Sequence, residues 1–323
     1  MRSGLLTVVL FLAASLPALG QPIPIIFDTD IGDDIDDALA LALALQSPEL
    51  DIRAVTTVID DTESRTRLAW KELGLYGRRD ILLATGASEP LLDPRHTTRA
   101  RQFDVLTPED TIPEAARRRA ADLIVETLLR SPQKLTLVPV GPLTNIALAL
   151  KLNPRIKEKI ERIVLMGGAF DMPRAEYNIR RDRVAAQIVF SSGVPITAVG
   201  LDVTTRCKLQ ASDLDRLRAA ANPASRFLMG LIGLWQSDNS ERYPTLHDPL
   251  AVAATFQPAL IETQLGRVEV ETASPLTMGM TLFTPAERLP RDARASTLVA
   301  RQVNVRRFLD LFIDRLAAPP RGK

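Results

Sequence analysis

Cysteine and histidine are almost missing from the 323 residues: Cys207 stands alone, and His96 and His247 are the only imidazoles. One thiol excludes an intrachain disulfide framework and any zinc centre built on cysteines. Two histidines argue against a multi-histidine metal site. Net charge is scarce as well. Lys and Arg number 40 against 39 Asp and Glu, so no strong overall field draws the chain to nucleic acid or an anionic membrane. Aromatic residues make up only 5%, yet 46% of the chain is hydrophobic. That is too much for a disordered polymer and enough to bury a sizeable core.

Long apolar runs are missing too, except at the start. Arg2 precedes an apolar stretch at residues 5–16, and Pro17-Ala18-Leu19-Gly20 offers an Ala-x-Gly cleavage site. This is the pattern of a secretory signal peptide over residues 1–20, with Gln21 opening a mature chain of 21–323. The run is shorter than the ~20 residues that span a bilayer, so no membrane anchor is expected after cleavage. Secretion across the inner membrane to a periplasmic space is the expectation. A cysteine-poor chain suits that space, where disulfides are allowed but not required.

In the mature chain, residues 24–27, 51–58, 135–138, 163–166 and 196–200 read as strands, with a β-like tail at 266–271. Residues 37–46, 62–75, 115–129, 145–150, 185–191, 211–220, 224–234, 249–256 and 308–316 read as helices. Strand–helix alternation signals parallel pairing with helices on both faces. Residues 91–113 and 170–183 read as loops, and neither divides the chain. The expected fold is one α/β domain with an open, mostly parallel sheet, whose ligands sit at the carboxyl ends of the strands.

The most informative segment is Asp28-Thr29-Asp30-Ile31-Gly32-Asp33-Asp34-Ile35-Asp36-Asp37. Six aspartates fall within ten residues, between a strand and a helix. Unpaired, they would repel and raise each other's pKa. A hard divalent cation such as Ca²⁺ or Mg²⁺ relieves that repulsion, and Gly32 lets the chain turn tightly. The competing reading is a solvated turn with Asp36 or Asp37 as helix N-cap. It leaves Asp28 and Asp30 unexplained at the end of a buried strand.

Three further elements add to it. His247-Asp248-Pro249 opens a helix; Asp248 could complete a coordination shell and His247 could move a proton. The alternative there is an Asp N-cap followed by Pro at the first helical position. The Gly141-Pro142 turn leaves the Val140 carbonyl free for a ligand, shortly before Thr144 and Asn145. After Met166-Gly167-Gly168, Glu176 and Asn178 stand at i and i+2, where both could bind hydroxyls or simply belong to a polar loop.

In this order the segments resemble the inosine-uridine-preferring nucleoside hydrolase family, from Pro24 to about Gln302. The matching stretches are the aspartate segment, Val55-Thr56-Thr57-Val58, residues 139–145, 164–168, 175–178 and 246–249. The resemblance implies Ca²⁺ at the bottom of a pocket and hydrolysis of the N-glycosidic bond of a ribonucleoside to ribose and free base. Carried over by position, Asp30, Asp37, Asp248 and the Val140 carbonyl would hold the ion. Asp30 would also be general base toward the water on it. Asp36, Glu176 and Asn178 would bind the ribose, with Met166 beside them. His247 would line the base pocket as a candidate acid, and Asp28 would brace the loop, with Asn145 in support. Homodimers or homotetramers are common in that family.

This sequence departs from the family pattern in places. Its aspartate loop is longer by two, so the Asp36-Asp37 pair is anchored to the helix start and Asp34 is the competing assignment. Where the family often places Asn after the Val-Thr-Thr-Val strand, Asp61 is the counterpart. The family's His-Gly in the first long loop is absent, His96 being followed by Thr97. Three rival readings remain. One is a Mg²⁺ phosphohydrolase using Asp28-x-Asp30, which lacks a convincing downstream Lys. Another is a non-catalytic exported nucleoside- or ribose-binding protein. The third is a hydrolase of another N-riboside, such as a nicotinamide riboside.

Overall fold

The computed structural model describes residues 20–93, 99–237 and 242–322. Residues 1–19 of the expected leader, and His96, lie outside the described residues.

From the start of the domain, β1 (Ile23–Thr29), α1 (Asp36–Gln46), β2 (Leu50–Thr57), α2 (Thr62–Leu75) and β3 (Leu82–Ala84) follow one another. Next come α3 (Ala120–Arg130), β4 (Leu135–Pro139), α4 (Thr144–Leu152), β5 (Ile160–Met166), α5 (Tyr177–Arg181), α6 (Arg183–Phe190) and β6 (Ile196–Val199). The chain continues through α7 (Leu201–Thr204), α8 (Ala211–Ala220), α9 (Pro223–Trp235) and α10 (His247–Phe256). It ends with β7 (Ile261–Val270), β8 (Thr281–Pro285), β9 (Thr297–Val303) and α11 (Val305–Ala317).

The nine strands form one sheet in the order β3-β2-β1-β4-β5-β6-β9-β7-β8. All pairs from β3 to β9 are parallel; β7 runs antiparallel to both β9 and β8. Strand β1 is central and reads as a near-continuous apolar run because both of its faces are covered. Its alternate side chains serve two cores: Ile25 and Phe27 join α1, α10 and α11 on one face, and Ile26 joins α3, α4 and α6 on the other. The expected α/β architecture, with helices on both faces, is the one observed.

Helix α1 is buried at every position, from Asp36 to Gln46. Its Leu-Ala repeat has no polar face to offer water, as a helix enclosed on all sides requires. It packs against α10, buried from Asp248 to Thr255. Helix α11 is amphipathic instead, turning Phe308, Phe312, Ile313 and Leu316 inward.

Several expected elements differ. The helix expected at 115–129 is broken. A 3₁₀ turn (Glu114–Arg117) is followed by extended backbone at Arg118 and Arg119 before α3 begins. The break follows from two hydrogen bonds to the end of β3: Thr85 N–H donates to Ala116 O and Ala120 N–H to Thr85 O, each at 3.0 Å. Loop 170–183 contains α5, and loop 91–113 a 3₁₀ turn at Arg101–Val105. The tail at 266–271 belongs to the ten-residue strand β7, while β3, β8 and β9 were not expected. Among the described residues, no helix is long and apolar enough to cross a membrane.

Candidate active site

The acidic segment leaves the carboxyl end of β1, beside the ends of β2 and β4. Asp28 is still in the strand and wholly buried. Its Oδ1 accepts from the Thr56 hydroxyl and from Asn145 Nδ2. Asn145 also donates to Thr57 O at 2.8 Å and accepts from Ala87 N–H. This pair stitches β1, β2 and α4 together behind the pocket rather than lining it. Asp28 Oδ2 has no hydrogen-bond partner among the described residues, and burial pushes the carboxyl up to about 7.

Arg65, 1% exposed on α2, holds the loop that follows. Its guanidinium donates to Ile59 O at 2.8 Å, Ile31 O at 2.9 Å, Asp33 Oδ2 at 2.7 Å, and Asp30 O. Gly32 makes the turn at φ +126°, where a Cβ would strike the Phe103 ring. The Gly141-Pro142 turn has its own reason: a Cβ on Gly141 would lie 2.6 Å from Asp30 Oδ1.

Helix α1 begins at Asp36. Its capping residue is Ile35, which makes no side-chain cap, so neither Asp36 nor Asp37 is the N-cap. Both lie in the first turn, where the helix dipole favours negative charge. Asp37 Oδ1 accepts from the Thr29 hydroxyl at 2.5 Å. Helix α10 likewise begins earlier than expected, at His247 with Leu246 as cap, so Asp248 is in the first turn and not the N-cap.

The packing of α1 on α10 brings Asp36, Asp37 and Asp248 together, with carboxylate oxygens all within 4.8 Å of one another. Burial, and then repulsion from neighbouring carboxylates, push all three carboxyls well above their usual range: Asp34 and Asp30 act on Asp36, Asp30 and Asp36 on Asp37, and Asp36 and Asp37 on Asp248. Asp30 adjoins them and adds to that repulsion; its own carboxyl is raised by burial to about 7, with Arg65 opposing. Such a set is unstable as bare anions and suits a hard divalent cation that takes oxygen ligands. The residues therefore fit a metal ion. The tight triad contains Asp36, whereas the sequence had pointed to Asp30 beside Asp37 and Asp248.

The walls come from the ends of β4 and β5, from α5 and its cap, and from the first residue of α10. The Val140 carbonyl, just past β4, accepts from Asn178 Nδ2 at 2.6 Å, and the same amide donates to Met166 O at 3.2 Å. Glu176 is the cap of α5; it accepts from the N–H groups of Asn178, Ile179 and Gly168 at 2.8–3.1 Å. Burial raises its carboxyl and those three donors oppose the rise. His247 Nδ1 lies 2.7 Å from Thr204 Oγ1. Burial lowers the His247 pKa, Arg174 adds to that, and Asp34 counters it.

These groups share one cavity of about 530 Å³. Asp30, Asp36, Asp37 and Asp248 line it, with Val140, Met166, Glu176, Asn178 and His247 on its walls. Asp33, Asp34, Arg174, Tyr177, Leu201, Trp235 and Arg242 complete the lining. Asp61 does not reach it: exposed, it caps α2 by accepting from Ser64 N–H at 3.0 Å. Sequence reasoning missed Arg65, Arg174, Tyr177, Trp235 and Arg242. Tyr177 stands inside the 175–178 stretch, between Glu176 and Asn178, but was given no role there; the other four belong to no local motif and come to the site through tertiary packing.

The model for the family described as inosine-uridine preferring nucleoside hydrolase matches residues 25–310. The pyrimidine-specific ribonucleoside hydrolase RihA of Citrobacter koseri is 37% identical over 91% of this chain and 98% of its own length. RihA of Shewanella sp. (strain ANA-3) is 40% identical, over 91% and 96%. Among solved structures, a plant nucleoside hydrolase aligns with a TM-score of 0.82 at 29% identity, covering 92% of this chain and all of that one. A purine-preferring ribonucleoside hydrolase from Gardnerella vaginalis aligns at 0.81 with 31% identity, covering 92% and 99%. The chain belongs to the inosine-uridine preferring nucleoside hydrolase family, enzymes that hydrolyse the N-glycosidic bond of ribonucleosides.

Proposed function

We propose that the protein is a Ca²⁺-dependent hydrolase of pyrimidine ribonucleosides, exported by its first twenty residues to the periplasm. The observation that carries the catalytic reading is the buried Asp36–Asp37–Asp248 triad beside Asp30, in a cavity that also holds Asn178, Glu176 and His247. The names of relatives at 37% and 40% identity support the pyrimidine preference. The Arg2 and residue 5–16 pattern supports export.

Asp36, Asp37 and Asp248 would hold the cation, with Asp30 and the Val140 carbonyl as further oxygen donors. A Ca²⁺ ion bound there would supply Lewis acidity that lowers the pKa of water and positive charge for the oxygens of the sugar. Asp30 accepts the proton of the water that attacks the anomeric carbon. The C1′–N bond breaks, its electron pair goes to the base, and the surrounding carboxylates stabilise the positive ring. Asn178 already spends its amide hydrogens on Val140 O and Met166 O, which leaves Oδ1 to accept from a ribose hydroxyl. Asp36 and Glu176 bind the other hydroxyls. His247 serves the departing base as donor.

The test is free-base release from a panel of ribonucleosides and 2′-deoxyribonucleosides, with Ca²⁺ or with chelator. Uridine and cytidine should lead, chelator should abolish release, and deoxyribosides should be poorer by about 10⁴-fold, because the missing hydroxyl leaves buried polar groups unpaired. Absence of base release from every ribonucleoside with Ca²⁺ present would refute the reading. Export is checked by fractionating cells that make the full chain and sequencing the mature N-terminus, expected at Gln21.

A further inference from the structure

We propose that Thr204 is a positioning residue that fixes the proton of His247 on Nε2, so that a hydrogen-bond donor of set orientation meets the leaving base. The inference deepens the reading above and rests on it. Thr204 is wholly buried in α7. Among the described residues, its hydroxyl has one hydrogen-bond partner, His247 Nδ1 at 2.7 Å. A hydroxyl carries one proton and two lone pairs, and a buried proton left undonated is costly. Its neighbour shows the alternative: Thr205 donates back to Leu201 O at 2.7 Å, one turn earlier. Thr204 makes no equivalent bond to Gly200 O, which instead accepts the N–H groups of Val203 and Thr204. The Thr204 proton therefore goes to Nδ1.

A ring that accepts at Nδ1 carries its hydrogen on Nε2. With the backbone N–H of His247 donating to Thr245 O at 3.1 Å and Nδ1 engaged, Nε2 is the polar edge left for a ligand in the cavity. The chemistry of the leaving group follows. As the C1′–N bond breaks, a pyrimidine shares its new negative charge with the carbonyl oxygen beside the glycosidic nitrogen, and an N–H donor stabilises that oxygen. A purine asks for a proton at its imidazole nitrogen. The neutral ring, accepting at Nδ1 and carrying hydrogen only on Nε2, could give up that proton only by becoming an imidazolate, so the arrangement favours a leaving group stabilised by a hydrogen bond alone, such as a 2-oxo pyrimidine.

The tautomer is read directly by ¹⁵N NMR of imidazole-labelled protein, which has only two histidines; His247→Gln assigns the signals. An unprotonated Nδ1 and a protonated Nε2 are expected in the parent and in Thr204→Ser, and a mixture in Thr204→Val. Thr204→Val should lower kcat on uridine about tenfold or more, with KM little changed, and spare 4-nitrophenyl riboside, whose leaving group needs no donor. Thr204→Ser should restore the uridine rate. A protonated Nδ1 in the parent would overturn the proposal, and so would equal losses on both substrates. If the parent releases no base from any ribonucleoside, the functional reading fails, while the NMR result still decides the role of Thr204. Because the parent spectrum decides by itself, misfolding of the valine variant does not remove the test.

Discussion

Asp248 donates its backbone N–H to Asp36 Oδ2 at 3.2 Å, joining residues 212 positions apart at the first turns of two buried helices. The bond fixes how α1 and α10 meet, and with it the spacing of the triad. It also separates two roles that lie close in space. Asp248→Asn should weaken Ca²⁺ binding by more than the ~10–100-fold that loss of an outer partner costs, as read by calorimetry. Asp30→Asn should cut kcat by about 10³-fold even at saturating Ca²⁺. Near-normal turnover in the Asp30 variant would remove it as the base.

Without a cation the cluster should make stability fall as pH rises. Burial raises Asp28 and Asp30 from the ordinary 3.8 to about 7, and holds Asp36, Asp37 and Asp248 well above 3.8 as well. The folded state then binds more protons than the unfolded chain between those limits. The stabilisation is complete below about pH 4 and lost as pH climbs through about 7. Chelator-treated protein should therefore melt lower at about pH 8 than at about pH 5, and Ca²⁺ should raise Tm more at the higher pH. A Ca²⁺ increment that is flat across this range would contradict the arrangement.

Arg65→Met should cost about 3–5 kcal/mol in chemical denaturation, because it strands the carbonyls of Asp30, Ile31 and Ile59 and removes the cation that faces the buried Asp30 carboxyl. Arg65→Lys should not rescue it, since one ammonium cannot reproduce the planar fork. A lysine variant of parental stability would show that charge alone suffices.

Glu72 makes the opposite case. It is wholly buried on α2, neither carboxylate oxygen has a hydrogen-bond partner among the described residues, and burial raises its pKa well above 4.5. Glu72→Met should stabilise the protein by about 1–3 kcal/mol near pH 8. The gain should shrink toward pH 5, where the native glutamic acid is neutral. Destabilisation at both pH values would mean that the carboxyl has a partner in solution.

The site was legible where its chemistry is local. Asp28 to Asp37 occupy one strand end and one helix start, and the Gly141-Pro142 turn and Glu176-x-Asn178 each fit in a few residues. Arg65 was not legible, since three of its four hydrogen-bond partners are backbone oxygens, two of them more than thirty residues away in sequence. Asp61 followed a sequence position that the packing sends outward. In the fold, the expected helix 115–129 ran through Arg117, Arg118 and Arg119, where bonds to Thr85 extend the chain. Strand β3 has three residues, too few to show a period. Strands β7, β8 and β9 carry Leu265, Leu282 and Leu298 in exposed positions, which blurs their alternation.

Because α1 is enclosed on every side, no substitution along it can be absorbed by solvent. Any shift of its axis would drag Asp36 and Asp37 with it. Arg174 and Arg242 are exposed and belong to segments that carry none of the acidic triad. The molecule thus divides into an invariable anvil and an adjustable jaw, and a change of preferred base can arise in the jaw while the bond-breaking apparatus stays as it is.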